Sequence, residues 1–202
     1  MEADTADCAR SLRSPEVVMA RRRMLQAPHI APLTAFVQNL RASRPTWEFP
    51  DFDPLDGGVD ADMLFLLEKP GPMTSSGAKG SGFISRNNDD PSAEATFAFM
   101  DQAGLLRKRT VLWNIIPGWN GTRKVTGAEL RLGVEDLNDL LPLLPNLRTI
   151  VLVGKKAQRA KQLFVKQNLR IFDSAHPSPI VRASRPEAWL AIPSTWTQAG
   201  YD

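Results

Sequence analysis

From residue 63 onward the chain repeats one rhythm, a short apolar run followed by a longer stretch whose apolar residues recur at helical spacing. Met63–Leu67 (MLFLL) is apolar throughout, which predicts a strand buried on both faces. Residues 91–104 read as an amphipathic helix, with Asp89 or Asp90 as its cap and Gly104 as its stop. Residues 110–116 (TVLWNII) predict a second strand, and residues 126–144 a helix that Pro142 ends. Thr149–Val153 (TIVLV) predicts a third strand, residues 155–167 a third helix and residues 169–172 a fourth strand. Residues 185–190 open a last helix. Strand and helix in strict alternation imply a parallel sheet covered by helices on both faces. The expected fold is α/β, a three-layer α/β/α sandwich around a four-stranded parallel sheet.

Upstream the pattern changes. Residues 15–26 and 32–42 are helix-like, rich in Arg and Ala, and Pro28 and Pro32 separate them. Residues 1–45 therefore read as a helical N-terminal extension to an α/β core at 63–190, all within one domain. Residues 45–62 (PTWEFPDFDPLDGGVDAD) form a connector rich in Pro, Gly and Asp. Arg21-Arg22-Arg23 is either a phosphate grip or a solvated helix face.

Composition bounds the possibilities further. The 202 residues are 43% hydrophobic, enough to bury one sizeable core. A net charge of +3 is modest, but its distribution is not. Between Arg148 and Arg185 lie nine cations (Arg148, Lys155, Lys156, Arg159, Lys161, Lys166, Arg170, Arg182 and Arg185) against the single acid Asp173. Residues 48–62 hold six acids and no base. A basic C-terminal half is the footprint of a phosphate-bearing partner, or again a solvated face. Cys8 stands alone and the histidines are His29 and His176, so no disulfide framework, zinc site or iron–sulfur cluster is expected. No metal and no cofactor follow from this chemistry. No run reaches membrane-spanning length, and the N-terminus lacks the apolar core of a signal peptide. A cytoplasmic monomer with no membrane partner is the expectation.

In open parallel sheets, ligands sit beyond the C-terminal ends of the strands. That directs attention to residues 68–83, 117–125 and 174–182. The first of these loops is glycine-rich. The second follows Asn114, which lies at the lip of the sheet. The third holds His176 between a buried strand and two prolines that stiffen its backbone.

In this order, these elements resemble the uracil-DNA glycosylase superfamily. Leu67-Glu68-Lys69-Pro70-Gly71 occupies the place of its first motif, Asn114 that of its strand-end asparagine, and His176-Pro177-Ser178-Pro179 that of its terminal motif. Phe83, fifteen residues after Glu68, looks like its stacking aromatic. The resemblance spans residues 63–185. It implies a DNA glycosylase of base excision repair, which flips a damaged base, uracil first, out of DNA and hydrolyses its N-glycosidic bond.

The resemblance also implies roles. Lys69, Pro70, Gly71, Phe83 and Asn114 would hold the base, with Phe83 stacking on it and the Asn114 amide donating to uracil O4 and accepting from N3–H. Glu68 and His176 would be catalytic, the carboxylate serving the cation-like sugar and a water, the imidazole serving the leaving base at O2. Ile180 and Val181 would form an apolar wedge. Ser81, Lys155, Lys156, Ser178, Arg182 and Arg185 would contact phosphates, with 154–156 acting as a helix N-terminus.

The chain departs from the family's pattern at Leu67, where the motif has glycine, and at Gly71, where classical members carry a tyrosine that bars the thymine methyl. Lys69 stands where the motif has Asp, Asn or Ala. Its cation would oppose a sugar cation unless paired, with Asp89 or Asp90, or unless it points away. Two other readings remain open: a catalytically silent DNA-binding protein of the same fold, and an unrelated α/β small-molecule hydrolase.

Overall fold

Four parallel strands form the centre of the molecule because their apolar runs can be buried on both faces. A computed structural model describes residues 7–75, 80–165 and 167–201, so Lys166 lies outside the described residues. The N-terminal segment contributes α1 (Pro15–Arg23) and α2 (Ala31–Ser43), followed by β1 (Asp51–Phe52). Then come β2 (Met63–Leu67), β3 (Phe83–Ile84), α3 (Pro91–Gln102) and β4 (Thr110–Asn114). The chain continues through α4 (Gly127–Leu140), β5 (Thr149–Val153), α5 (Lys161–Phe164) and β6 (Arg170–Ser174). It closes with α6 (Pro179–Ser184), α7 (Pro186–Leu190) and α8 (Ile192–Gly200).

The main sheet has the order β4-β2-β5-β6, and every neighbouring pair is parallel. Helices cover both faces, giving an α/β/α sandwich. On one face α8 lies over β5 and β6 and packs against α3, with Trp196 edge-on to Phe65 at 5.0 Å. On the other, α2 packs against α4 and presents Phe36 to Trp113 at 5.7 Å. Leu33, Phe36, Val37 and Leu40 of α2 belong to the main apolar core, so this helix is a layer of the sandwich. Gly133 lets α4 approach the end of β4, since a Cβ there would lie 1.7 Å from the Ile115 carbonyl oxygen. Among the described residues, no helix is long and apolar enough to cross a membrane.

Three sequence expectations change. The helix expected over 155–167 shrinks to a 3-10 turn (Ala157–Ala160) and the single turn of α5. The C-terminal helix is three short ones, because Pro186 and Pro193 each start a new helix. Part of the loop expected over 174–182 is helical, since α6 begins at Pro179 with Ser178 as its cap.

α1 is tied down by charge. Arg21 is 2% exposed and donates to Asp53 and to the Asn87 side-chain oxygen. Arg107 reaches the same Asp53 carboxylate at 2.6 Å. The Arg21-Arg22-Arg23 run therefore divides, with Arg21 structural and the other two exposed.

Candidate active site

β2 and β4 end side by side, with Leu67 opposite Asn114. Beyond that pair the Ile115 N–H donates to the Leu67 carbonyl at 2.8 Å and the Ile116 N–H to the Glu68 carbonyl at 3.0 Å. The backbone of the first motif is thereby held in register past the end of the sheet. Asn114 is 5% exposed, yet no hydrogen bond joins its amide to another described residue. Its amide is therefore free to pair with a ligand.

Glu68 leans toward β5. Its Oε1 accepts from the Lys156 N–H at 3.0 Å, and its Oε2 lies 3.6 Å from the Lys156 ammonium. Gly154 makes this approach possible. Its φ of +94° suits glycine, and a Cβ there would meet Glu68 Oε1 at 2.7 Å. The expected phosphate site at 154–156 is corrected accordingly, because the Lys156 N–H serves Glu68 and the long helix is missing. Lys155 remains exposed.

His176 hangs from an anchored strand end. The Trp196 indole N–H donates to Ser174 Oγ at 2.9 Å, while the Ser174 carbonyl accepts from the Gly154 N–H at 2.9 Å and from the Gln158 amide at 3.0 Å. The Ser178 N–H then closes a turn onto the His176 carbonyl at 2.8 Å. The imidazole Nδ1 is buried and has no hydrogen-bond partner. Burial above all pushes the imidazole below its ordinary 6.5; Glu68 and Asp90 oppose that lowering and Lys156 adds to it. His176 is thus a neutral imidazole near pH 7. In a proton NMR titration its midpoint should lie below 6.5 and drop further in Glu68→Gln, because the carboxylate that favours the cation is gone. An upward move would contradict this coupling.

Lys69 turns away from Glu68. Its ammonium donates to Glu129 Oε1 at 2.7 Å, Asn120 Oδ1 at 2.8 Å and the Lys124 carbonyl at 2.9 Å, and its side chain is 5% exposed. The partner is therefore neither Asp89 nor Asp90, and Lys69 has no donor left for a base. Glu129 is also the capping-box residue of α4, accepting from the Thr126 N–H. Burial would raise its carboxyl, but hydrogen bonds from Lys69 and Thr126 outweigh it and hold the group at about 2. Since the folded value is depressed, this lock is complete above the ordinary carboxyl value of 4.5 and is lost as pH falls toward about 2. Lys69→Ala should cost about 2 kcal/mol or more by stranding a buried carboxylate. That corresponds to a melting temperature lower by roughly 4–8 °C in a chain of this size. A variant that melts like wild type would contradict the structural role.

Several other expectations are corrected. Phe83 is 1% exposed and presents no open ring face. Ser81 is 4% exposed, accepts from the Phe83 N–H at 3.0 Å and donates to Asn88 at 2.6 Å, so it clamps this strand and does not face a phosphate. Val181 is 7% exposed and packs inward, which leaves Ile180, at 78%, as the exposed apolar side chain of the pair. Ser178 Oγ accepts from the Val181 N–H as the α6 cap. Pro70 is buried, whereas Gly71 borders open space with nothing within 4 Å of a Cβ. Arg182 stacks over Trp189 at 5.0 Å, and Arg182 and Arg185 are both exposed. Sequence reasoning missed Ser174, two residues before His176, and Trp196, Asn120 and Glu129, which position the site from farther along the chain.

The arrangement brings a carboxylate, a free amide and a neutral imidazole to one edge of a parallel sheet. Such a set can read a polar ring edge, stabilise charge developing on it and orient a water. Among the described residues, no group of three or more His, Cys, Asp or Glu could hold a metal ion.

The family model described as the Uracil DNA glycosylase superfamily matches residues 56–193. Among solved structures, the chain is similar to mimivirus UNG Y322F in complex with UGI, with 16% identity and a TM-score of 0.40 over 88% of this chain and 75% of that one. No curated protein matches the sequence.

Proposed function

The chain belongs to the uracil-DNA glycosylase superfamily, and from that premise we propose that it releases a damaged base, uracil foremost, from DNA as a monofunctional glycosylase. The observation that carries this reading is the Asn114 amide, which bonds no other described residue and stands at the end of β4 opposite Leu67, the residue before Glu68. Uracil offers an acceptor at O4 and a donor at N3, which one amide can satisfy together. Cytosine offers the reverse at both positions and would leave desolvated groups unpaired.

The chemistry follows from the charges. As the C1′–N1 bond breaks, its electron pair leaves with the base and the sugar becomes cation-like. The neutral His176 ring donates an N–H to O2 of the departing anion. Glu68, held by the Lys156 N–H, offers its carboxylate to the sugar and orients a water. The water's oxygen bonds to C1′ and its proton passes to the carboxylate and on to solvent or base. Gly71 leaves the space near the base open, so bases with a 5-substituent fit this reading as well. Ile180, Arg182 and Arg185, all exposed, serve as the DNA-facing edge, and the exposed Lys155 adds a further cation.

The silent DNA-binding alternative drew its force from Lys69. With that ammonium bound to Glu129, its charge no longer opposes a sugar cation. The deciding experiment incubates the protein with oligonucleotides that carry uracil, mismatched thymine, hypoxanthine or xanthine. Release of free uracil, the expected result, supports the enzyme and gives its base. Tight binding without release of any base would establish the silent alternative.

A further inference from the structure

Outside the span matched by the family model, α1 helps to build a groove of its own. A cavity of about 540 Å³ lies between α1, the residues just before it and the segment around 73 and 80–89. That volume is within the range of small-ligand sites, ~300–1,000 Å³. Pro15, Val18, Met19 and Arg22 all line it, at the i, i+3, i+4, i+7 spacing of one helix face. Arg13 lines it from the chain leading into α1. Arg13 and Arg22 are exposed and make no ion pair with another described residue. Arg22 does sense Asp51, but Arg41 already holds that carboxylate at 3.1 Å. The one acid in the lining, Asp89, is bound by Arg10 at 3.0 Å. The groove therefore presents two unneutralised guanidiniums beside apolar walls, which suits a phosphate attached to a flat ring.

The groove adjoins the first motif, since Met73 in its wall lies two residues past Gly71. Arg21, one residue before Arg22, is locked into Asp53 and Asn87. Ser81 and Asn88 in the groove wall also clamp the Phe83 backbone. Asp90, next to Asp89, is felt electrostatically by His176.

We propose that the groove holds a nucleotide flanking the damaged base, its phosphate on Arg13 and Arg22 and its base against Met19 and Met73. The proposal rests on the glycosylase reading for the placement of the strand. It extends the substrate from a single flipped nucleotide to a short segment on one side of it.

The probe is an oligonucleotide carrying a 2′-fluoroarabino-uridine, whose glycosidic bond resists cleavage, with flanks that are full, trimmed 5′ or trimmed 3′. Arg13→Glu/Arg22→Glu should bind the full-length probe roughly tenfold or more weakly at low salt. Its log–log salt slope should fall by about 0.7–0.9, the share of one phosphate. Trimming one flank, and only one, should erase the difference between variant and wild type. Arg13→Gln/Arg22→Gln should lose the same slope while its melting temperature stays at the wild-type value. Equal affinity and slope in variant and wild type would overturn the proposal, as would a difference that survives both trims. Base release from the matching natural substrate separates the two ideas. Release with no variant effect on binding sinks the groove and spares the enzyme, whereas flank-dependent binding without release supports the groove and sinks the glycosylase reading.

Discussion

Glu68→Gln should slow single-turnover base release by a factor on the order of 10² or more while DNA binding is retained. The amide can still accept the Lys156 N–H with its oxygen, so the turn after β5 should hold its shape. What disappears is the negative charge, which a cation-like sugar and an attacking water both need close by. His176→Ala should cost a comparable factor, because the leaving base would lose the donor at O2. A Gln variant that turns over at the wild-type rate would show that the carboxylate only anchors Lys156. The same variant reports on the imidazole through its lowered midpoint, so the kinetic and titration results must agree.

Asn114→Ala carries the second large effect. Two buried hydrogen bonds to the base would be lost, each about 1 kcal/mol or more at a desolvated site, which corresponds to roughly thirtyfold or greater loss of rate on uracil. Folding stability should change little, because the amide makes no hydrogen bond with another described residue that the substitution could break. A structural cap would behave in the opposite way, losing stability and keeping its rate. Measuring melting temperature beside single-turnover rate therefore separates the two roles in one variant. Affinity for undamaged DNA should stay near wild type, since Asn114 lies beneath the surface that the phosphates would touch.

The sheet was legible in the sequence because each of Met63–Leu67, Thr110–Asn114 and Thr149–Val153 is an apolar run buried in full or nearly so. α6 was legible too, and was passed over: Ser178-Pro179 is an N-cap followed by proline at the first helical position. The helix after β5 misled for a local reason. Gly154 turns with positive φ and the Lys156 N–H is taken by Glu68, and the turn that follows has no side-chain cap. β1 and β3 are two residues each, too short for any periodicity to reveal.

At the site, Glu68, Asn114 and His176 were found because each sits just past a recognisable strand. The fate of Lys69 was not, because its partner Glu129 is 60 residues away and hides inside a helix cap. Phe83 and Ser81 misled for a different, local reason. Their residue types suit stacking and phosphate binding, but Phe83 is 1% exposed and Ser81 is taken by the Phe83 N–H and Asn88. For Lys69, distance along the chain, more than residue chemistry, marks where sequence reasoning stopped.

The most direct test counts products from an oligonucleotide that carries one uracil. The predicted result is one free uracil in solution for each abasic site formed, with no protein–DNA adduct trapped by borohydride. An adduct that disappears in Lys69→Ala would contradict the account, because Lys69 would then be a Schiff-base nucleophile and not the partner of Glu129. Intact uracil in the DNA after prolonged incubation with excess protein would contradict it altogether.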